Sequence, residues 1–176
     1  MTATTTDSST EQADTPGVGR IARVTGPVID VEFPPDALPE INSALEFTVD
    51  VGGESTRPGA DRTSIAQEID RTIPVVSALV RAGLTVSIDT MRSEVASRAV
   101  EVGAAYINDV SGGLADPQMA ATAAEAGVDV ILMHWRGHSR DMQKRAHYED
   151  VTAEVIAELS ERVGEFVDAG DDLERV

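Results

Sequence analysis

The sequence predicts an α/β protein, an open parallel sheet with helical crossovers, preceded by a short antiparallel β segment and a disordered amino-terminal tail. Three observations carry this. From Val49 onward, short apolar runs alternate four times with stretches of helical spacing, the repetition that a parallel sheet requires. The chain is 41% hydrophobic with only three Phe, one Trp and two Tyr, so its core falls to Val, Ile, Leu and Ala, as in sheets buried under helices. Before Val49, Ile29, Val31 and Phe33 alternate with Asp30 and Glu32, the period of a half-solvated antiparallel strand.

Residues 1–18 are polar, low in complexity and without apolar period, which predicts a disordered tail. A first strand over 29–33 follows the Gly26-Pro27 turn and stops at Pro34-Pro35. Leu45, Phe47, Val49 and Val51 alternate with Glu46, Thr48 and Asp50 and predict a second strand. Gly52 to Arg62 is a Gly- and Pro-containing loop, and Ile65 to Ala82 has helical spacing with Pro74 as a break or bend. Strands at Leu84–Ile88, Ala105–Ile107 and Val128–Met133 alternate with helices at Glu94–Gly103 and Pro117–Gly127. The last helix puts Val151, Val155, Ile156, Leu159, Val163, Phe166 and Val167 on one face, with Asp150 as N-cap and Gly170 as its stop. Leu173 to Val176 is expected to open a fifth strand.

Fourteen Lys plus Arg against 31 Asp plus Glu leave a net charge of −17, which repels nucleic acid and anionic membrane alike. No partner of either kind is expected. Without cysteine there is no disulfide framework, thiolate metal site or Cys nucleophile. Neither a signal peptide nor a membrane-inserting run is evident, and the cytoplasm is the default compartment.

Binding groups in parallel α/β folds gather at the carboxyl ends of the strands. Here those ends are Gly52-Gly53-Glu54-Ser55-Thr56-Arg57-Pro58-Gly59, Asp89, Asn108-Asp109 and Met133-His134. A carboxylate beside a carboxamide suits a flat heterocycle with adjacent N–H donors and ring acceptors, since Asp accepts and Asn does both. Taken singly, Asp89 reads equally as the N-cap of the next helix and Asn108 as a turn residue. The Gly-rich loop with Arg57 suits an anion but lacks P-loop spacing. Gly17 to Ala22 fits a loose dinucleotide fingerprint by coincidence, with no strand before it and no helix after. His134 and His138 flank Gly137 in a loop, favouring a loop-edge role over metal. Met119 and Met133 read as core filler, and Met133 at a strand end also suits the face of a ring. The acid-rich helix reads as a solvated face.

Val49-Asp50-Val51-Gly52-Gly53-Glu54-Ser55-Thr56-Arg57-Pro58-Gly59-Ala60, then Val86-Ser87-Ile88-Asp89-Thr90, Ile107-Asn108-Asp109-Val110-Ser111-Gly112-Gly113 and Ile131-Leu132-Met133-His134-Trp135-Arg136 resemble dihydropteroate synthase over residues 49–176. The resemblance implies a partial TIM barrel of about four βα units. It also implies the folate-pathway transferase reaction joining a pterin methyl diphosphate to 4-aminobenzoate. Asp89, Asn108 and Met133 would then hold the pterin, and Thr56 and Arg57 would shape the aminobenzoate subsite. Mg²⁺ is implied as well, although the family's loop for it, in Asn-Val-Thr-Pro-Asp-Ser-Phe, is absent before Val49. So are the later strand ends that hold the diphosphate, leaving no complete catalytic set.

Residues 19–48, from Gly19-Arg20-Ile21 through Gly26-Pro27-Val28-Ile29-Asp30-Val31-Glu32-Phe33 to Leu38-Pro39-Glu40-Ile41-Asn42, resemble the amino-terminal β-barrel of the ATP synthase β subunit. A chimera is implied: tail 1–18, β segment 19–48, pterin-type domain 49–176. Four strands do not close an eight-stranded barrel, so open edges and an inner apolar layer are expected to face water, with marginal stability or self-association. Three functions stand open: a pterin-binding fragment inactive alone, an assembly module, and a non-functional chimera.

Overall fold

The computed structural model describes residues 20–25, 28–32 and 48–176. The chain divides into two units, Met1–Glu46 and Phe47–Val176. In the first, β1 (Arg20–Thr25) and β2 (Val28–Glu32) pair antiparallel, with Thr25 opposite Val28. β2 is the strand legible as an alternation. β1 was not, because its register skips between Ile21 and Arg23, and a bulge breaks the period-2 signal. The expected tail, Gly17 to Gly19 of the fingerprint, and Leu45 and Phe47 lie outside the described residues, while Arg20 to Ala22 are strand.

The second unit is a parallel sheet in the order β3 (Thr48–Gly52), β4 (Thr85–Asp89), β5 (Tyr106–Asp109), β6 (Asp129–Leu132). Crossovers run through α1 (Ile65–Arg81), α2 (Ser93–Glu101) and α3 (Met119–Ala126), and α4 (Val151–Asp168) follows β6. Register aligns Val51, Ile88, Ile107 and Val130 in one row on the helix side. That row packs against Val76 of α1, Val95, Ala96 and Ala99 of α2, Met119 and Ala123 of α3 and Phe166 of α4. Met119 is core filler, fully buried. Burying each such Val, Ile or Phe stabilises by about 1.5–3 kcal/mol, so this layer holds the unit together.

The opposite face corrects an expectation. Instead of an apolar layer, the rows Asp50, Ser87, Tyr106, Asp129 and Gly52, Asp89, Asn108, Ile131 line it. Ile131 alone among these eight is a large aliphatic residue, half exposed. Two-face alternation in a parallel strand, Val49 and Val51 inward to the helices and Asp50 away, is why β3 read as period-2 although it pairs parallel to β4.

α1 begins with a capping box between Ser64 and Gln67 and runs unbroken through Pro74. Pro74 and Asp70, whose carbonyl loses its helical donor, are both exposed, so water replaces the bond and no break results. α4 starts at Asp150, whose side chain accepts from the Ala153 amide at 3.0 Å. It ends with Gly170 at φ 105° and the Asp171 amide donating to the Phe166 carbonyl at 3.1 Å, a Schellman stop. Of the apolar face read for α4, Phe166 is buried but Val151, Ile156 and Val167 are exposed. No fifth strand begins at Leu173: Leu173–Arg175 is a 3₁₀ turn capped by Asp172, whose side chain offers the backbone a local partner in place of a ladder. Among the described residues no helix is long and apolar enough to cross a membrane.

Candidate functional site

At the carboxyl end of the sheet, Asp89 and Asn108 stand side by side as register partners, and Gly52 flanks Asp89 from β3. A Cβ on Gly52 would lie 3.2 Å from Asp89 Oδ2, so the glycine leaves room for the carboxylate. Asn108 Nδ2 donates to Asp50 Oδ2 at 3.1 Å. Both alternatives for these residues fall: α2 starts at Ser93, with its first amide held by Asp116 at 2.8 Å, and Asn108 lies within β5. Burial, then the charges of Asp50, Glu68 and Asp109, push Asp89 from the ordinary 3.8 up to about 6. Carboxyls that crowd like charge in partial burial resist ionisation, and such groups concentrate at binding sites. Ser87 Oγ, one residue pair below on this face, is buried without a partner among the described residues.

Met133 follows β6 directly and is half exposed. Thr56 and Arg57 stand exposed on the loop after β3. The Arg57 carbonyl accepts from the Ala60 amide at 3.0 Å, but neither residue shares a hydrogen bond with Asp89 or Asn108 among the described residues. The structure thus brings two of the five expected site residues, Asp89 and Asn108, into one pair, and the other three share no hydrogen bond with it among the described residues.

The root of that loop is fixed by groups the sequence reading passed over. Glu54 accepts from the Thr63 amide at 2.9 Å, from Arg62 Nε at 3.1 Å and from Arg92 Nη2 at 2.9 Å. Arg92 also donates to the Thr63 carbonyl at 2.6 Å and pairs with Glu68 of α1. Thr90 Oγ1 donates to Glu68 at 2.6 Å. The only available signal was that Glu54, Thr90 and Arg92 lie just beyond strand ends; Asp50 was visible only as the polar half of an alternation. Asp50 is the larger omission.

The remaining loops are braced. Asp109, fully buried, accepts from the Ser111 amide and hydroxyl and the Gly113 amide at 2.7–2.8 Å; burial nevertheless holds its carboxyl above the ordinary value. His134 and His138 face different partners: His134 Nε2 meets Glu158 at 2.7 Å, and His138 Nε2 meets Arg62 Nη1 at 3.1 Å. Burial, then Arg62, holds His138 below the ordinary imidazole value. The Gly59 amide donates to the Ser139 carbonyl at 2.8 Å, tying the two loops together. Among the described residues no three His, Asp or Glu side chains converge to share the Mg²⁺ that the resemblance implies.

Residues 47–176 match the family described as pterin binding enzyme. The chain belongs to that family. Dihydropteroate synthase of Mycobacterium leprae is 55% identical over 125 residues, covering 70% of this chain and 44% of the relative. The Xanthomonas albilineans dihydropteroate synthase structure with 4-aminobenzoic acid superposes with TM-score 0.67 at 42% identity, over 73% of this chain and 45% of that one. The Anaplasma phagocytophilum enzyme with 6-hydroxymethylpterin-monophosphate gives TM-score 0.68 at 35% identity, over 73% of this chain and 52% of that one. The chain therefore spans about half the length of these relatives. Residues 21–63 match the ATP synthase alpha/beta family β-barrel domain, supporting the fused segment. That match overlaps the pterin-binding one at 47–63, and there the structure places β3 in the parallel sheet beside β4.

Proposed function

We propose that residues 47–176 bind a reduced pterin of the folate pathway at the sheet's carboxyl end. Asp89 accepts from the ring's N–H groups, Asn108 offers both donor and acceptor, and Met133 covers a ring face. Thr56 and Arg57 border a 4-aminobenzoate subsite. In the condensation typical of dihydropteroate synthase, the amine nitrogen bonds to the pterin methylene carbon as the carbon–oxygen bond to diphosphate breaks and the amine sheds a proton. The residues here bind and orient; by themselves they bind without turnover. The observation carrying this is the Asp89–Asn108 register pair, acceptor beside carboxamide, on a polar sheet face within a pterin-family fold. The 4-aminobenzoic acid in one relative's structure and the 6-hydroxymethylpterin-monophosphate bound in another support the ligand class.

Titration of the 176-residue chain with 6-hydroxymethylpterin monophosphate tests this. Binding should be saturable at one site and fall at least about tenfold in Asp89→Asn. Equal binding by the variant, or none by either protein, overturns it; the latter would favour a structural role or a non-functional chimera. Self-association at high concentration is also proposed, through the β3 and β6 edges, with Ile131 of β6 half exposed. A scattering mass independent of concentration would refute that.

A further inference from the structure

We propose that Arg92 is the positioning residue of the Gly52–Ser64 loop, binding its two ends to the carboxyl end of β4 so that Thr56 and Arg57 face Asp89. This deepens the proposed function and rests on its assignment of Thr56 and Arg57 to the aminobenzoate side. The guanidinium sits where three segments converge. One arm holds Glu54 at the loop's start and the Thr63 carbonyl at its end, at 2.9 and 2.6 Å; the other pairs with Glu68 of α1. Glu54 closes the loop on itself, accepting from the Thr63 amide and hydroxyl at 2.9 and 3.2 Å. The loop is thereby pinched at its base, and the eight residues between Glu54 and Thr63, Ser55 to Arg62, are exposed except for the half-buried Ala60.

The base is also close-packed. A Cβ on Gly53 would stand 2.9 Å from Glu68 Cγ and Thr72 Cγ2, and Arg71 donates to the Gly53 carbonyl at 2.9 Å. Arg92 follows Asp89 by three residues, and its own amide donates to Thr90 Oγ1 at 3.2 Å. Backbone that carries the pterin-side carboxylate therefore also carries the clamp on the opposite subsite. The Arg92 and Glu54 side chains are 12% and 8% exposed, so the pair is shielded from the screening that weakens surface ion pairs. A planar fork presents its donors from separate nitrogens and so reaches Glu68 on one arm and Glu54 and Thr63 on the other, whereas an ammonium offers its three donors from a single point.

Two variants of the full chain test this, read by amide hydrogen exchange without ligand and by titration with each compound separately. Arg92→Lys keeps the charge and loses the fork. Glu54→Gln keeps the shape and loses the charge that both arginines face. In each, exchange at Gly59, Ala60 and Thr63 should quicken by about tenfold while β4 and α2 keep their rates. Affinity for 4-aminobenzoate should fall about tenfold, with pterin affinity unchanged within about twofold. Unchanged loop exchange in both variants overturns the clamp, as does equal quickening in β4 and α2 or equal weakening of both ligands. If the unsubstituted chain takes neither compound, the proposed function falls, and the exchange rates alone decide whether Arg92 holds the loop.

Discussion

The two faces of the parallel sheet differ in what they ask of the rest of the chain. On the helix side, Ile88, Ile107 and Val130 meet Val95, Ala99, Met119 and Phe166 and are sealed. On the other side, Asp50, Asp89 and Asn108 stand among polar neighbours, and the Asp89 proton is held to about pH 6. A partial barrel can therefore be sealed on one face and gather polar groups on the other. The helix side needs nothing from the open side, since each βα unit buries its apolar row under its own helices. The open side carries repulsion that the sealed side must outweigh, a division seen wherever binding groups are gathered at a cost in stability.

The largest effect should come from opening the sealed face. Ile107→Ala or Phe166→Ala is expected to destabilise by about 2–5 kcal/mol, because both are fully buried and the cavity has little room to collapse. Urea unfolding measures it, and a loss under about 1 kcal/mol would show the helix side to be loosely packed.

A smaller effect of opposite sign should come from the open face. The folded value of Asp89 lies above its unfolded 3.8, so the fold holds this proton more tightly than the unfolded chain does. The stability it allows is intact below about pH 4 and declines as pH rises through about 6. Asp89→Asn should therefore stabilise the chain at pH 8 by about 1 kcal/mol, allowing for solvent screening of a part-exposed carboxyl, and flatten the acid-side profile. Melting points of both proteins between pH 4 and 8 check this; a variant less stable at pH 8 would remove the contrast between the faces. Pterin binding that needs the ionised carboxylate should conversely tighten as pH rises past about 6.

The smallest effect belongs to neither face. Arg98 and Glu101 pair at 3.8 Å on the exposed side of α2, and Glu101→Gln should shift stability by less than about 0.5 kcal/mol. A larger change in the same melts would mean that α2 is held by its surface charge rather than by Val95, Ala96 and Ala99.

By itself the sequence determined the alternation of strand and helix, because apolar spacing and caps such as Asp150 and Gly170 are local signals. It also determined which strand ends are polar, and so singled out Asp89 and Asn108. What it left out has a common physical cause. The polar inner face, the Asp50–Asn108 hydrogen bond and the Glu54–Arg92–Glu68 cluster join residues distant in sequence, and no spacing rule encodes the register that unites them. β1 was hidden by a bulge, and Leu173–Arg175 turned where a strand was expected, because a local cap outbid a ladder with no described neighbour. Sequence chose the chemistry of each strand end; only the parallel register, fixed by packing on the helix side, decided which of those ends would meet.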